Sequence, residues 1–86
     1  MFPYTRLNEI FDYVYHHHYI SAKKLSTLLN VTERTIRSDI QAINDILIEH
    51  GANIKLKRKT GYYIEINNEQ VYHSFLNSFL KHHKSS

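Results

Sequence analysis

Residues 21–41 read SAKKLSTLLNVTERTIRSDIQ, and the fold turns on how this stretch is parsed. Ser21 is a strong N-cap residue, because its hydroxyl can accept a hydrogen bond from an otherwise unpaired amide in the first helical turn. It predicts a helix over residues 22–29, with Ala22, Leu25, Leu28 and Leu29 as its apolar positions. Asn30-Val31 makes a tight turn. Thr32 then caps a third helix, with Glu33 well placed at the positive end of the helix dipole. Ile36, Ile40, Ile43 and Leu47 recur at steps of four, three and four, which marks one buried helical stripe. Gly51 is the natural stop.

Working outward towards the N-terminus, Leu7, Ile10, Phe11 and Val14 fall at i, i+3, i+4 and i+7. They predict a first helix capped by Thr5 and running to about His17. Tyr19-Ile20 is a short extended piece. Beyond Gly51 the period changes from helical to alternating. Ile54-Lys55-Leu56-Lys57 and Tyr62-Tyr63-Ile64-Glu65-Ile66 read as two strands, the second with Tyr62, Ile64 and Ile66 on one face. Arg58-Lys59-Thr60-Gly61 joins them as a basic-tipped hairpin. Asn67-Asn68 breaks the strand and can cap a last helix over residues 69–81. Its apolar residues, among them Phe75, Leu76, Phe79 and Leu80, exceed what so small a core is expected to need. Residues 82–86 are expected to fray.

The order helix, short strand, helix, turn, helix, hairpin, helix is that of a winged helix-turn-helix. The expected fold class is α+β and mainly helical: a three-helix bundle plus a β-hairpin wing, with an added C-terminal helix. Residues 1–67 are expected to form the winged domain. Residues 68–86 would supply a helix and tail for dimerisation or for linkage to a following domain.

Composition sets the outer bounds. Eighty-six residues make one small domain, which buries only about 60% of its unfolded surface and so needs a continuous core. Hydrophobic residues at 42% and aromatics at 13% suffice for that. No cysteine is present, which excludes disulfides and thiolate metal sites. The N-terminus carries no signal-peptide stretch, and Ile46-Leu47-Ile48 is far too short to span a bilayer. A cytoplasmic protein without membrane contact is expected. The net charge of +3 is modest, but its placement is not uniform: Lys55, Lys57, Arg58 and Lys59 crowd the hairpin with no acid among them.

The outward face of the third helix is the candidate functional surface. At about 100° per residue, Arg34, Ser38, Gln41 and Asp45 point away from the apolar stripe, with Thr35 and Arg37 on the flanks. Arginine can grip guanine N7 and O6, glutamine can pair with adenine, and hydroxyls reach bases or phosphates. An ordinary solvated face would mix in more acids. Thr32 and the free amides beside it can hold a phosphate. Lys23 and Lys24 oppose the dipole of the second helix, an objection that a nearby phosphate would remove. Lys57, Arg58 and Lys59 at the wing can contact phosphates or enter a minor groove. The expected DNA-binding set is therefore Ser21, Lys23, Lys24, Thr32, Arg34, Thr35, Arg37, Ser38, Gln41, Lys57, Arg58 and Lys59.

Residues 32–40 (TERTIRSDI), preceded by YISAKKL at 19–25 and followed by GYYI at 61–64, resemble the helix-turn-helix of several groups of bacterial regulators. These are sugar-operon activators and antiterminators with phosphotransferase-regulated domains, Mga-type activators and DeoR-type repressors. The N-terminal module of the biotin repressor is similar too. The resemblance covers residues 5–66 and is most specific at Arg34-Thr35-Ile36-Arg37. It implies sequence-specific double-stranded DNA binding, with Arg34, Thr35 and Arg37 as contacts and Tyr62 packed under the hairpin. It further implies a position at the N-terminus of a longer regulator, consistent with Met1, with a regulatory domain following. Ser38 stands where relatives often carry another basic residue, and the wing has one glycine where they often have two.

Other functions find less support. His16-His17-His18 cannot readily ligate one ion, because adjacent helical side chains diverge by about 100°. No metal or cofactor is expected. No phosphate loop, cysteine or acid–base pair suggests an enzyme. The alternative is a winged helix that binds protein instead of DNA, for which acids on the third helix or a neutral wing would have argued. RNA binding would favour exposed stacking aromatics, with Tyr63 the one obvious candidate. A single module has a small footprint, so a homodimer on paired half-sites is expected, with the apolar stripe of the last helix as the suggested contact.

Overall fold

The computed structural model describes residues 2–83. Its elements are α1 (Thr5–His17), α2 (Ala22–Leu29), α3 (Glu33–Leu47), a short 3-10 turn (Ile48–His50), β1 (Ala52–Lys57), β2 (Gly61–Ile66) and α4 (Glu69–His83). This is a winged helix-turn-helix with an added C-terminal helix.

The start of α1 differs from expectation. Thr5 is the first helical residue and Tyr4 holds the cap position in extended conformation without a side-chain cap bond. Asn8, one turn into the helix, instead ties the helix to the segment before it. Its Nδ2 donates to the carbonyls of Phe2 and Tyr4, both at 3.2 Å, while the Phe2 amide donates to its Oδ1 at 3.0 Å. These bonds fold the N-terminal segment back and bury Phe2 to 3% exposure.

The two caps at the centre of the chain form as the sequence dictates. The Lys24 amide donates to Ser21 Oγ at 3.0 Å and the Thr35 amide to Thr32 Oγ1 at 3.1 Å. Asn30 closes α2 in the left-handed conformation, φ 57°, which asparagine tolerates better than most residues. Ile36, Ile40, Ile43 and Leu47 are all buried, but on α2 only Leu25 is. Leu28, expected to face inward, is exposed at the surface.

Asn44 fastens α3 to the hairpin. Its Nδ2 donates to the Ile54 carbonyl at 2.9 Å and its Oδ1 accepts from the Ile54 amide at 2.6 Å. The strands pair antiparallel with Ile54 opposite Ile64 and Leu56 opposite Tyr62. Ile20 joins the free edge of β2 through two bonds with Tyr62, at 3.1 and 2.7 Å. The inward face is buried only part-way along: Ile54 and Tyr62 are covered, Ile64 half so, while Leu56 and Ile66 at the two ends of the hairpin are exposed. Their cross-strand partners, Tyr62 and Ala52, are buried, so at each end one strand is covered and the other is not.

Helix α4 corrects the largest expectation. Asn68 caps it, with the Val71 amide donating to Oδ1 at 3.2 Å. The helix then continues to His83, two residues beyond the expected end; of the tail expected to fray, residues 84–86 lie outside the described residues. Its apolar stripe is not surplus. Phe75, Leu76 and Phe79 are buried, as is Tyr72, while Leu80 and Val71, which the sequence places on the same stripe, stay at the surface. Phe79 meets Phe11 edge-on at 4.7 Å between ring centroids, and Phe75 meets Phe2 and Phe11 at 5.6 and 5.8 Å. Edge-on pairs set the positive ring edge against the negative face and add to the roughly 1.5–3 kcal/mol that burying each ring contributes. The reason is Phe2: once it folds back against Phe11, α1 presents an aromatic surface that only α4 can cover.

Candidate nucleic-acid interface

Two exposed basic patches emerge, one on α3 and one on the wing. On α3 the N-terminal half presents Arg34, Arg37, Ser38 and Gln41 to solvent, with Thr35 half-buried. The stripe that buries Ile36, Ile40 and Ile43 fixes this rotation, so the outward face follows directly from the core. Arg37 has an i, i+4 partner in Glu33 at 3.5 Å, both well exposed, a pairing weak enough to exchange for a phosphate or a base. No carboxylate pairs with Arg34 among the described residues. Thr35 is partly committed, since the Thr32 hydroxyl donates to its Oγ1 at 3.0 Å. With its proton spent there, Thr32 serves the helix start as a cap and leaves anion contact to the backbone amides. Asp45, exposed on the same face two turns after Ser38, puts a negative charge beyond Gln41.

Asp39 would place a second acid in this helix, but it is not left bare. Arg6 of α1 donates to it from Nε at 2.5 Å and from Nη2 at 3.3 Å. The bond to Asp39, followed by its charge, raises the Arg6 pKa above the ordinary value. Sequence reading missed this pair because the partners are 33 residues apart and neither belongs to an apolar stripe.

On the wing the four cations reduce to three. Lys55 Nζ pairs with Glu65 Oε1 at 3.0 Å across the hairpin, and that bond, then the charge behind it, raises the Lys55 pKa. Lys57, Arg58 and Lys59 remain exposed around the turn. The turn closes through the Thr60 amide donating to the Lys57 carbonyl at 3.0 Å. Lys59 sits there at φ 67°, so a lysine occupies a left-handed position beside the single wing glycine, Gly61, at φ 125°.

Gly61 also brings the wing against α2. A Cβ at this position would stand 2.6 Å from the Ile20 carbonyl carbon and 2.9 Å from the Ser21 amide nitrogen. The structure thereby gathers Ser21 and the wing cations around one shallow cleft of about 400 Å³, between the start of α2 and the hairpin. Lys23 and Lys24 extend the basic surface along α2, both exposed.

A tyrosine pair was not foreseen. Tyr19 lies 5.6 Å from Tyr63, and Lys57 Nζ stands 5.6 Å from the centroid of the Tyr19 ring. Tyr63 was visible as an exposed aromatic, but Tyr19 enters only because Ile20 pairs with Tyr62, which no local pattern announces.

The histidine run offers no shared ion site. Nδ1 of His16 and of His17 turn back to the carbonyls of Asp12 and Tyr13, at 2.9 and 3.0 Å. Among the described residues no group of three potential ligands could hold a metal, and no helix is long and apolar enough to cross a membrane.

A protein family described as "HTH domain" matches residues 6–63. The chain is also similar to the "Probable licABCH operon regulator" of Bacillus subtilis (strain 168), with 37% identity over 57 residues. That match takes in 66% of this chain and 9% of the relative, so the chain corresponds to a small part of a much longer protein. No solved structure matches it significantly.

Proposed function

Because this chain belongs to the HTH domain family, we propose that it is the sequence-specific, duplex-DNA-reading domain of a bacterial transcription regulator, with no catalytic role and no cofactor. One observation carries the reading: the exposed half of α3 offers Arg34, Arg37, Ser38 and Gln41 on a helix whose rotation is fixed by a buried stripe, an asparagine clamp and a forked ion pair. A reading surface must hold its side chains in register with base edges, and this helix is anchored on three sides. In the proposed complex the start of α3 lies in the major groove. Lys57, Arg58 and Lys59 engage the flanking backbone or minor groove, and Ser21, Lys23 and Lys24 lie along phosphates.

The similarity to an operon regulator, together with the resemblance to sugar-operon activators and antiterminators, supports a target in the control region of such an operon. It also implies a cytoplasmic protein in which a regulatory domain accompanies this module. The footprint of one module calls for pairs on half-sites about 10 bp apart or a multiple of that. Since Phe75, Leu76 and Phe79 are occupied in the core, the pairing is assigned to surfaces outside that stripe.

The test is selection from a random duplex library at fixed salt, followed by titration of the recovered sequence. A recurrent site bound far more tightly than random duplex is expected. Arg34→Ala should then cost about 1–3 kcal/mol on that site and much less on random DNA. Recovery of no preferred duplex, with Arg34→Ala indistinguishable from wild type, would refute the proposal.

A further inference from the structure

Leu56 is the most exposed aliphatic side chain of the hairpin, at 64%. By the alternation of β1 it lies on the same face as Ile54, which is 3% exposed. Its cross-strand partner Tyr62 is 7% exposed, so the cover reaches β2 at this level and leaves Leu56 bare. A lone exposed leucine is ordinary on a protein surface, but this one has particular neighbours. It forms part of the cleft between the wing and the start of α2, whose other lining includes Ala22, Lys57, Arg58 and Lys59. An apolar patch thus sits inside a cationic rim. That pattern complements a nucleic-acid backbone, where apolar sugar faces alternate with phosphates, and it does not suit an apolar protein surface, which would leave the cations unpaired.

We propose that Leu56 is a DNA-contacting residue that packs against a deoxyribose of the flanking strand, while Lys57–Lys59 hold the adjacent phosphates. The inference rests on the DNA-reading role proposed above and adds to it a contact without charge. That distinction makes it separable by experiment. Contacts to phosphate release counterions, so their loss lowers the salt dependence of binding; an apolar contact releases none.

The experiment compares wild type, Leu56→Ala and Lys59→Ala on two duplexes, the site recovered by library selection and a random sequence of equal length, across a series of salt concentrations. Leu56→Ala should weaken both roughly three- to tenfold at every salt, the value of covering about 25–55 Å² of apolar surface, with the slope against salt unchanged. Lys59→Ala should reduce the slope by about one. An unchanged thermal midpoint, expected for so exposed a position, shows that the loss is not one of folding. If wild type binds duplex and Leu56→Ala binds equally well, or loses slope as Lys59→Ala does, the sugar contact is wrong while the DNA-reading role stands. If wild type binds neither duplex at any salt, both fall together.

Discussion

Arg6 of α1 and Asp39 of α3 form a forked ion pair, with Nε and Nη2 of the guanidinium donating to separate carboxylate oxygens at 2.5 and 3.3 Å. Its consequence reaches beyond stability. Asp39 adjoins Ser38, about 100° round the helix from it, so in the proposed complex an unpaired carboxylate there would repel nearby phosphates. The fork also braces α3 against α1, because two parallel bonds fix orientation as well as distance.

Arg6→Ala is accordingly expected to act twice. The pair is partly exposed, with side-chain exposures of 46% and 13%, so its loss should reduce stability by only about 0.5–1 kcal/mol in chemical denaturation. Duplex affinity should fall as well, through the uncovered charge of Asp39. Asp39→Asn in the Arg6→Ala background should restore much of the affinity without restoring stability. Affinity that stays as low as in Arg6→Ala alone would mean that the pair matters only as a brace.

Lys59 is charged and strained at once. At φ 67° its Cβ crowds the backbone, a conformation that costs a non-glycine residue roughly 1 kcal/mol. Lys59→Gly removes both the strain and the charge. The two readouts should therefore move in opposite directions: an unchanged or slightly raised thermal midpoint, and weaker duplex binding with a flatter salt dependence. A midpoint that falls by several degrees would show that the lysine side chain stabilises the turn through contacts that outweigh its strain.

Gly61 sits where the wing is pressed against the chain before α2. Gly61→Ala would place a Cβ 2.6 Å from the Ile20 carbonyl carbon, backbone that cannot rotate away, at a φ of 125° that disfavours any side chain. The Ile20–Tyr62 bonds, at 3.1 and 2.7 Å, would have to open. A loss of about 2–4 kcal/mol is expected, visible as a drop of roughly 10 °C or more in thermal midpoint for a domain of this size. A near-native midpoint would show that the Ile20 bridge contributes little.

What could be read in the sequence was whatever has a local cause. Ser21 and Thr32 cap helices because their hydroxyls lie three residues from an unpaired amide, and the stripe from Ile36 to Leu47 fixes the outward face by arithmetic on 3.6 residues per turn. The basic turn was visible for the same reason. What remained hidden depends on pairing across distance. Phe2 reaches Phe75 and Phe11 only after Asn8 folds the N-terminal segment back, so the stripe of α4 read as excess when it was the missing wall of the core. Arg6 with Asp39, Asn44 with Ile54 and Tyr19 with Tyr63 are likewise contacts between elements, made by residues whose own neighbourhoods carry no signal. The exposure of Leu56 beside a buried Tyr62 depends on what packs over each strand, which strand alternation cannot tell.

Tyr72 gives α4 a pH signature. Burial in the core, then the nearby Tyr15, pushes its phenol up to about 12 from an ordinary value of 10. Charging the ring beneath α4 is costly, whereas in the unfolded chain the same phenol ionises in water near pH 10. Above that point the unfolded state sheds a proton that the folded state keeps, so unfolding is favoured as pH rises. The stabilisation is whole below pH 10 and is lost as pH climbs towards 12. Over that interval it should fall by on the order of 1 kcal/mol per pH unit. Tyr72→Phe keeps the ring and removes the proton, so the variant should match wild type at pH 8 and outlast it increasingly at pH 10.5 and 11.5 in urea denaturation. Parallel losses in the two proteins would place the alkaline weakness elsewhere and show that Tyr72 meets water in the folded state.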